Sequence, residues 1–214
     1  MEHKVIAYFD GFNYYEGLRK KSWRNYYWQD FVKFVEFFLK PYQSLEAVRY
    51  FSAIQKNAEK AKRQDKLFQA NKLNPRFSLI LGEFRPRIKW RDIECNGRKV
   101  GKQIRFWEEK KSDVALASYM IRDVVLGKCD TIFLFSADSD LTPALDIIQE
   151  IAGHNKPIKI IVFFPPGNYS HDLFNKANKV MHLENHEYKF KASQLPEQLT
   201  LPGGFNLDRP AKWC

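Results

Sequence analysis

The sequence predicts an α/β domain, a mostly parallel sheet with helices on both faces. Short apolar runs rich in β-branched and aromatic residues, the pattern of buried strands, alternate along the chain with longer segments of helical periodicity. The run Thr131-Ile-Phe-Leu-Phe135 breaks directly into Ser136, Asp138 and Asp140 and then into a helix start, the order of a strand, loop and helix in an open sheet. The chain has 214 residues, 44% of them apolar, with 18 Phe, 10 Tyr and 5 Trp, which suits one domain with a sizeable core.

Residues 5–9 form the first strand and run into Asp10-Gly-Phe-Asn13. Gly11 is expected to relieve a turn, and Asn13 to cap the next segment or to hold a neighbouring carboxylate. Asp30 caps a helix over 31–39, apolar at 31, 34, 35 and 38, which Pro41 ends. The second strand covers 48–54. A Lys- and Arg-rich helix spans 57–73, with Leu67 and Phe68 on its apolar side and its basic face read as solvated. The third strand is 77–81. Val114, Ala117, Met120 and Ile121 have helical spacing within 113–126. After the 131–135 strand, Thr142 is read as the cap and Pro143 as the first residue of a helix reaching about residue 152. Residues 158–164 form the last long strand, followed by a helix over 170–179 and a short strand over 180–183. Asp123 and Asp146, inside helices, are read as surface charges. The domain is expected to cover 1–190, with 191–214 as a tail, irregular from 201, whose Phe205 and Trp213 are candidates to dock on the body.

Lys and Arg exceed Asp and Glu by 35 − 25 = 10, and the pI is about 9.4. That balance favours polyanionic partners, nucleic acid before an acidic membrane surface. Three cysteines, at 95, 129 and 214, make no C-x-x-C pair, which argues for reduced thiols over a disulfide framework or zinc site. His182 and His186 are four residues apart but lack the acidic partner pattern of a zinc peptidase. The first residues lack a signal peptide's apolar region, and no run approaches the ~18 apolar residues of a membrane span. A soluble, cytoplasmic protein without a membrane partner is expected; a homodimer is left open.

Three separate segments offer acids. In an open sheet whose first strand is central, the ends of the first and fourth parallel strands are neighbours at the switch point, so Asp10 and Asp138 face one crevice. Glu109 and Asp113, read as the start of the 113–126 helix, and Asp140 join them. Capping explains most Asp residues at strand–helix junctions, but not a convergence of acids from three segments. Carboxylates so close repel one another and raise their own pKa values. Mg²⁺ or Mn²⁺ relieves this and keeps waters that a phosphate substrate can replace. Such an ion activates water for in-line attack on phosphorus and stabilises the leaving oxygen.

Asp10-Gly-Phe-Asn13, Glu109-Lys-Lys-Ser-Asp113-Val-Ala-Leu-Ala117 and Ser136-Ala-Asp138-Ser-Asp140-Leu-Thr-Pro143 together resemble the three motifs of NYN domains of the LabA-like group, members of the PIN-like nuclease superfamily. The match keeps the motif order across residues 4–185. The resemblance implies a three-layer α/β/α sandwich and metal-dependent endonuclease chemistry, usually on RNA. It makes Asp10, Asp113, Asp138 and Asp140 the metal-binding, catalytic acids, and Asn13, Glu109 and Ser136 supporting groups. Ala137 stands where the family usually has Gly, and Lys111 where it has a small residue; neither removes an acid. Because a fold does not fix turnover, the alternative is a non-catalytic nucleic-acid-binding or regulatory module. An Asp-nucleophile phosphatase would want a second Asp where Phe12 stands.

A basic hairpin over 84–107 interrupts the alternation. Asn96-Gly97 is a two-residue turn signal. Arg85, Arg87, Lys89 and Arg91 alternate with Phe84, Pro86, Ile88 and Trp90, giving one basic and one largely apolar face. Pairing Cys95 with Arg98 sets Glu94 opposite Lys99. Arg85, Arg87, Lys89, Arg91, Lys102 and Arg105 are expected to grip a nucleic-acid backbone beside the acids, and Trp90, Phe106 or Trp107 to stack on unpaired bases. The bland alternative is a solvated hairpin with buried aromatics.

Overall fold

In the computed structural model, which describes residues 3–95, 98–154 and 156–213, strands and helices alternate as the periodicity requires. β1 (His3–Asp10) leads into α1 (Gly11–Lys20) and α2 (Phe31–Glu36), β2 (Gln43–Ser52) into α3 (Ala58–Asn71), and β3 (Phe77–Leu81) into a hairpin of β4 (Glu83–Cys95) and β5 (Arg98–Lys110). There follow α4 (Ser112–Val125), β6 (Thr131–Phe135), α5 (Thr142–His154), β7 (Lys159–Phe164), α6 (His171–Lys176), β8 (Lys179–His182) and α7 (Glu187–Ala192). β9 (Gln198–Thr200) and β10 (Asn206–Asp208) form a small antiparallel ribbon.

Among the described residues, six strands make one parallel sheet in the order β3-β2-β1-β6-β7-β8. The order reverses between β1 and β6, which is the switch point where open sheets bind ligands. Successive side chains of β1 feed opposite cores. Val5, Ala7 and Phe9 pack with residues of α1, α2, α3 and α7; Ile6 and Tyr8 pack with α4, α5 and α6. The result is a three-layer α/β/α sandwich, with the β4–β5 hairpin as a separate two-stranded sheet. No helix among the described residues is long and apolar enough to cross a membrane.

Local chemistry explains most boundaries. The Asp30 and Asn57 side chains accept the Lys33 and Lys60 backbone N–H groups at 2.9 and 3.0 Å, capping α2 and α3. α2 ends at Glu36, short of the expected residue 39, because the chain tightens to an i→i−3 bond from Phe38 to Val35, and the Phe38 ring meets Phe163 at 4.9 Å. Gly11 is the first residue of α1, not a turn residue; a Cβ there would lie 2.4 Å from Tyr50 Cε1 and 2.5 Å from the Phe51 carbonyl oxygen. Close approach of backbone to β2 requires the glycine. Thr142 is not a cap either, since it is itself helical; Asp138 is, accepting the Asp140 N–H at 3.0 Å at the head of a 3-10 turn, Ser139–Leu141.

The tail is more ordered than its composition suggests. Leu201 to Phe205 is the turn of the β9–β10 ribbon, with Gly203 and Gly204 at φ +102° and +85°. Trp213 docks, its ring 5.8 Å from Tyr27, whereas Phe205 is 75% exposed. α7 runs across the expected boundary at residue 190.

Asp146 is a surface charge, paired with Lys176 at 2.6 Å. Asp123 is not. It is fully buried and accepts the Tyr8 hydroxyl at 2.8 Å, Arg49 Nε at 2.6 Å and Arg122 Nη2 at 2.7 Å. Tyr8 and Arg49 belong to β1 and β2, so this one carboxylate ties α4 to two strands. Asp123→Ala would leave a nearly buried guanidinium and a buried phenol unpaired, and should lower the unfolding free energy in urea by about 3–5 kcal/mol. Asp146→Ala should stay within about 0.5 kcal/mol of wild type; equal losses for the two would refute the anchoring role of Asp123.

Candidate metal centre and nucleic-acid groove

Asp10 ends β1 and caps α1. Its Oδ1 accepts the Asn13 N–H at 3.0 Å and its Oδ2 accepts the Ser136 hydroxyl at 2.8 Å. Ser136, fully buried just beyond β6, in turn accepts the Asp138 N–H at 3.0 Å. One hydrogen-bonded chain therefore runs from the end of β6 to the end of β1. Asp113 enters from the first turn of α4. Carboxylate oxygens of Asp10, Asp113 and Asp138 lie within 4.8 Å of one another. Asp140 stands outside that trio. It is exposed and lines a shallow groove with Asp172, Asn175 and Lys176, although its charge still reaches Asp113.

The supporting residues sit close by. Asn13 holds Asp10 through its backbone; its side chain accepts the Ala137 N–H at 3.1 Å and the Asn168 amide at 3.2 Å. Asn168, in the turn after β7, has no motif to mark it. Glu109 lies on β5, not in the helix, and one of its oxygens accepts the Ser112 hydroxyl. Gly82 clamps this corner: a Cβ there would lie 2.5 Å from the Lys110 carbonyl oxygen and 2.6 Å from Ser112 Oγ. Lys111, just before α4, adopts the left-handed φ of +76°, a conformation that favours glycine.

Burial pushes the Asp10 carboxyl up to about 7, against the downward pull of its bonds from Asn13 and Ser136; the charges of Asp113 and Asp138 add to the rise. Desolvation also raises Asp113, with Asp138 and Asp140 contributing, and raises Glu109. An all-oxygen set of mutually repelling carboxylates, one of them buried, fits a hard divalent cation.

The hairpin has the expected register, with Cys95 opposite Arg98 and Glu94 opposite Lys99. The Asn96-Gly97 turn and the Arg91 side chain lie outside the described residues. The same register sets Arg105 opposite Ile88, so Arg105 belongs to the face of Trp90 and Trp107, not to the basic face. Lys102 does share the basic face, opposite Arg91. The aromatics are not buried: Trp90 is 69% and Trp107 46% exposed. Arg85 pairs with Glu83 at 2.5 Å and Arg87 with Glu108 at 2.7 Å, while Lys89 lies over the Phe106 ring. Arg85, Arg87, Lys110 and Lys111 line an open groove against Val114 and Ala115 of α4, one residue from Asp113. Lys110 and Lys111 went unassigned in the sequence, although they lie inside its second acidic motif.

A family model described as the NYN domain matches residues 4–184. A curated relative, 6-hydroxy-3-succinoylpyridine 3-monooxygenase HspA of Pseudomonas putida, is 25% identical over an alignment covering 98% of this chain and 75% of the relative. Among solved structures, a protein of unknown function from Vibrio parahaemolyticus matches with a TM-score of 0.53 and 19% identity, covering 84% of this chain and 92% of that one, a likeness of fold alone.

Mn²⁺ should raise the thermal midpoint of the protein, by the equivalent of about 2.7 kcal/mol at a hundred times its Kd, and Asp10→Asn should lose the shift. Because the ion must displace a proton from Asp10, affinity should weaken about tenfold per pH unit below about 7 and level off above it. In metal-free protein the folded pKa of Asp10 lies above the unfolded value of about 4. Stability should therefore fall as pH rises from about 4 through about 7, a slope that Asp10→Asn removes. Equal Mn²⁺ shifts in wild type and Asp10→Asn would contradict the assignment.

Proposed function

The chain belongs to the NYN domain family, and from that premise we propose that it is a metal-dependent endonuclease hydrolysing phosphodiester bonds in RNA. The observation that carries the reading is the convergence of Asp10, Asp113 and Asp138, from three separate segments, on one point at the sheet's switch point. These three would hold Mg²⁺ or Mn²⁺, and Asp140 would add charge from outside the trio. A bound ion supplies neutralisation of the phosphate and a lowered pKa for water.

The chain's own residues do the rest. Asn13 and Ser136 fix the two oxygens of Asp10, and Ser136 also fixes the backbone of Asp138. Arg85, Arg87, Lys110 and Lys111 bind phosphates along the groove beside Asp113. The glutamates that pair with the arginines yield readily, since exposed ion pairs contribute only about 0–1 kcal/mol. Exposed Trp90 and Trp107 offer stacking platforms for unpaired bases, which favours single-stranded or structured RNA over duplex DNA. The LabA-like grouping and a cytoplasmic place of action belong to the same proposal, the first on motif residues alone.

The Pseudomonas putida relative supports a second reading, oxygenation of a small substituted ring. The observation in its favour is an aromatic pocket beside Glu109, lined by Tyr15, Tyr27, Phe31 and Trp213. The test is cleavage of end-labelled single-stranded RNA, duplex RNA and DNA with Mn²⁺, Mg²⁺ or EDTA. Wild type should cut RNA only with metal, and Asp10→Asn and Asp138→Asn should each lose on the order of 100-fold or more. Equal cutting by all three proteins would sink the nuclease; no cutting, with salt-sensitive binding retained, would leave a binding module. Oxygen uptake with a hydroxypyridine and a reduced nicotinamide as the two-electron donor, without cleavage, would favour the second reading. In binding titrations, Arg85→Ala and Arg87→Ala should each reduce the salt slope for single-stranded RNA by about 0.7.

A further inference from the structure

Beside the acids, a pocket of about 110 Å³ opens between α1, the end of β2, α3 and Trp213. Glu109 forms part of its wall, so it adjoins the proposed metal centre. Its interior is largely aromatic. Tyr14 lines it, and its hydroxyl, on a residue only 2% exposed, makes no hydrogen bond among the described residues. The Tyr27 hydroxyl, on a residue 8% exposed, has Tyr15 beside it. Leaving a buried hydroxyl unsatisfied is unfavourable, so a polar ring edge brought to it is favoured. Burial raises both phenols, which stay protonated and able to donate and accept.

The mouth is cationic. Lys60 and Arg63, one turn apart on α3, line it and make no ion pair among the described residues. Gln64, also in the wall, is committed elsewhere: its Nε2 donates to the Ala53 carbonyl at 3.1 Å and its Oε1 accepts the Gln55 N–H at 3.0 Å. Flat aromatic walls, phenolic groups inside and two cations at the opening match one chemistry, an unpaired nucleobase with its phosphate.

Resting on the nuclease reading, we propose that this pocket is a base-recognition subsite. It takes one unpaired nucleobase of the bound strand, stacks it among the tyrosines, reads its polar edge with the Tyr14 hydroxyl, and holds the adjoining phosphate with Lys60 and Arg63. Because Glu109 borders both the pocket and the acids, the captured base sets which phosphodiester bond reaches the metal. A free aromatic acid would share the ring and the charge but would not use the adjacent phosphate groove.

The test is done in EDTA, so that binding is read without turnover. AMP, GMP, CMP and UMP, their nucleosides and 4-hydroxybenzoate are titrated by tryptophan fluorescence. Short single-stranded RNAs, intact or with one abasic position, are titrated by anisotropy. Wild type should prefer one nucleotide, and Tyr14→Phe should weaken that nucleotide about five- to tenfold and flatten the preference. Tyr14→Phe should leave abasic RNA unchanged and keep wild-type stability in urea, because the hydroxyl has no protein partner to lose among the described residues. Lys60→Ala and Arg63→Ala should weaken the nucleotide but not the nucleoside. Equal affinity for all four nucleotides, unchanged in Tyr14→Phe, would overturn the subsite, as would binding of 4-hydroxybenzoate without nucleotides. Metal-dependent cleavage lacking any base preference would reject the subsite and keep the nuclease; base preference without cleavage would do the reverse.

Discussion

The site depends on the parallel pairing of β1 with β6. Phe9 faces Phe135 in register, their rings stacked 4.0 Å apart at 5°, and Phe163 of β7 continues the stack 4.4 Å from Phe135. This buried aromatic row fixes the level at which the central strands end. The next residues on the two strands are Asp10 and Ser136, whose side chains bond directly. Asp138 is joined to them through the Ser136 oxygen. Asp113 is aligned by α4, which is held at both ends: near its start by the Gly82, Glu109 and Ser112 corner, and further along by Asp123 on Tyr8 and Arg49. A slip at any of these joints would separate carboxylates that no covalent link keeps together.

The electrostatics are layered. The chain as a whole is strongly basic, and the groove of Arg85, Arg87, Lys110 and Lys111 would draw a polyanion towards α4. At the end of that groove the sign reverses. Three carboxylates would repel a phosphate, and burial of Asp10 makes its ionised form costly. A divalent cation held there would resolve both conflicts at once, which ties the basic groove to the acidic centre.

Much of this was legible in the chain. Short apolar runs and period-3.6 patterns mark the strands and helices, and the central place of the first strand agrees with the switch-point rule, which brings Asp10 and Asp138 together. The misplacements have physical reasons. Asp138 and Asp140 look equivalent in sequence; only the 3-10 turn separates a carboxylate aimed at the trio from one turned to solvent. Asp123 carried a usable signal, because it shares the face of Leu116 and Met120, and an acid on an apolar helix face implies a buried partner. Arg105 is settled by the hairpin register: once Cys95 pairs with Arg98, Arg105 must oppose Ile88. Gly203-Gly204 was a turn signal for the tail ribbon. The aromatic pocket, assembled from α1, α2, β2, α3, β5 and Trp213, leaves no local pattern at all.

The central claim is that three carboxylates from three segments form one metal centre, and anomalous diffraction from crystals soaked in Mn²⁺ tests it most directly. The account predicts a manganese peak bounded by the carboxylates of Asp10, Asp113 and Asp138, and its loss in crystals of Asp113→Asn. A peak confined to the groove of Asp140 and Asp172, or none at a concentration that supports cleavage, would contradict it.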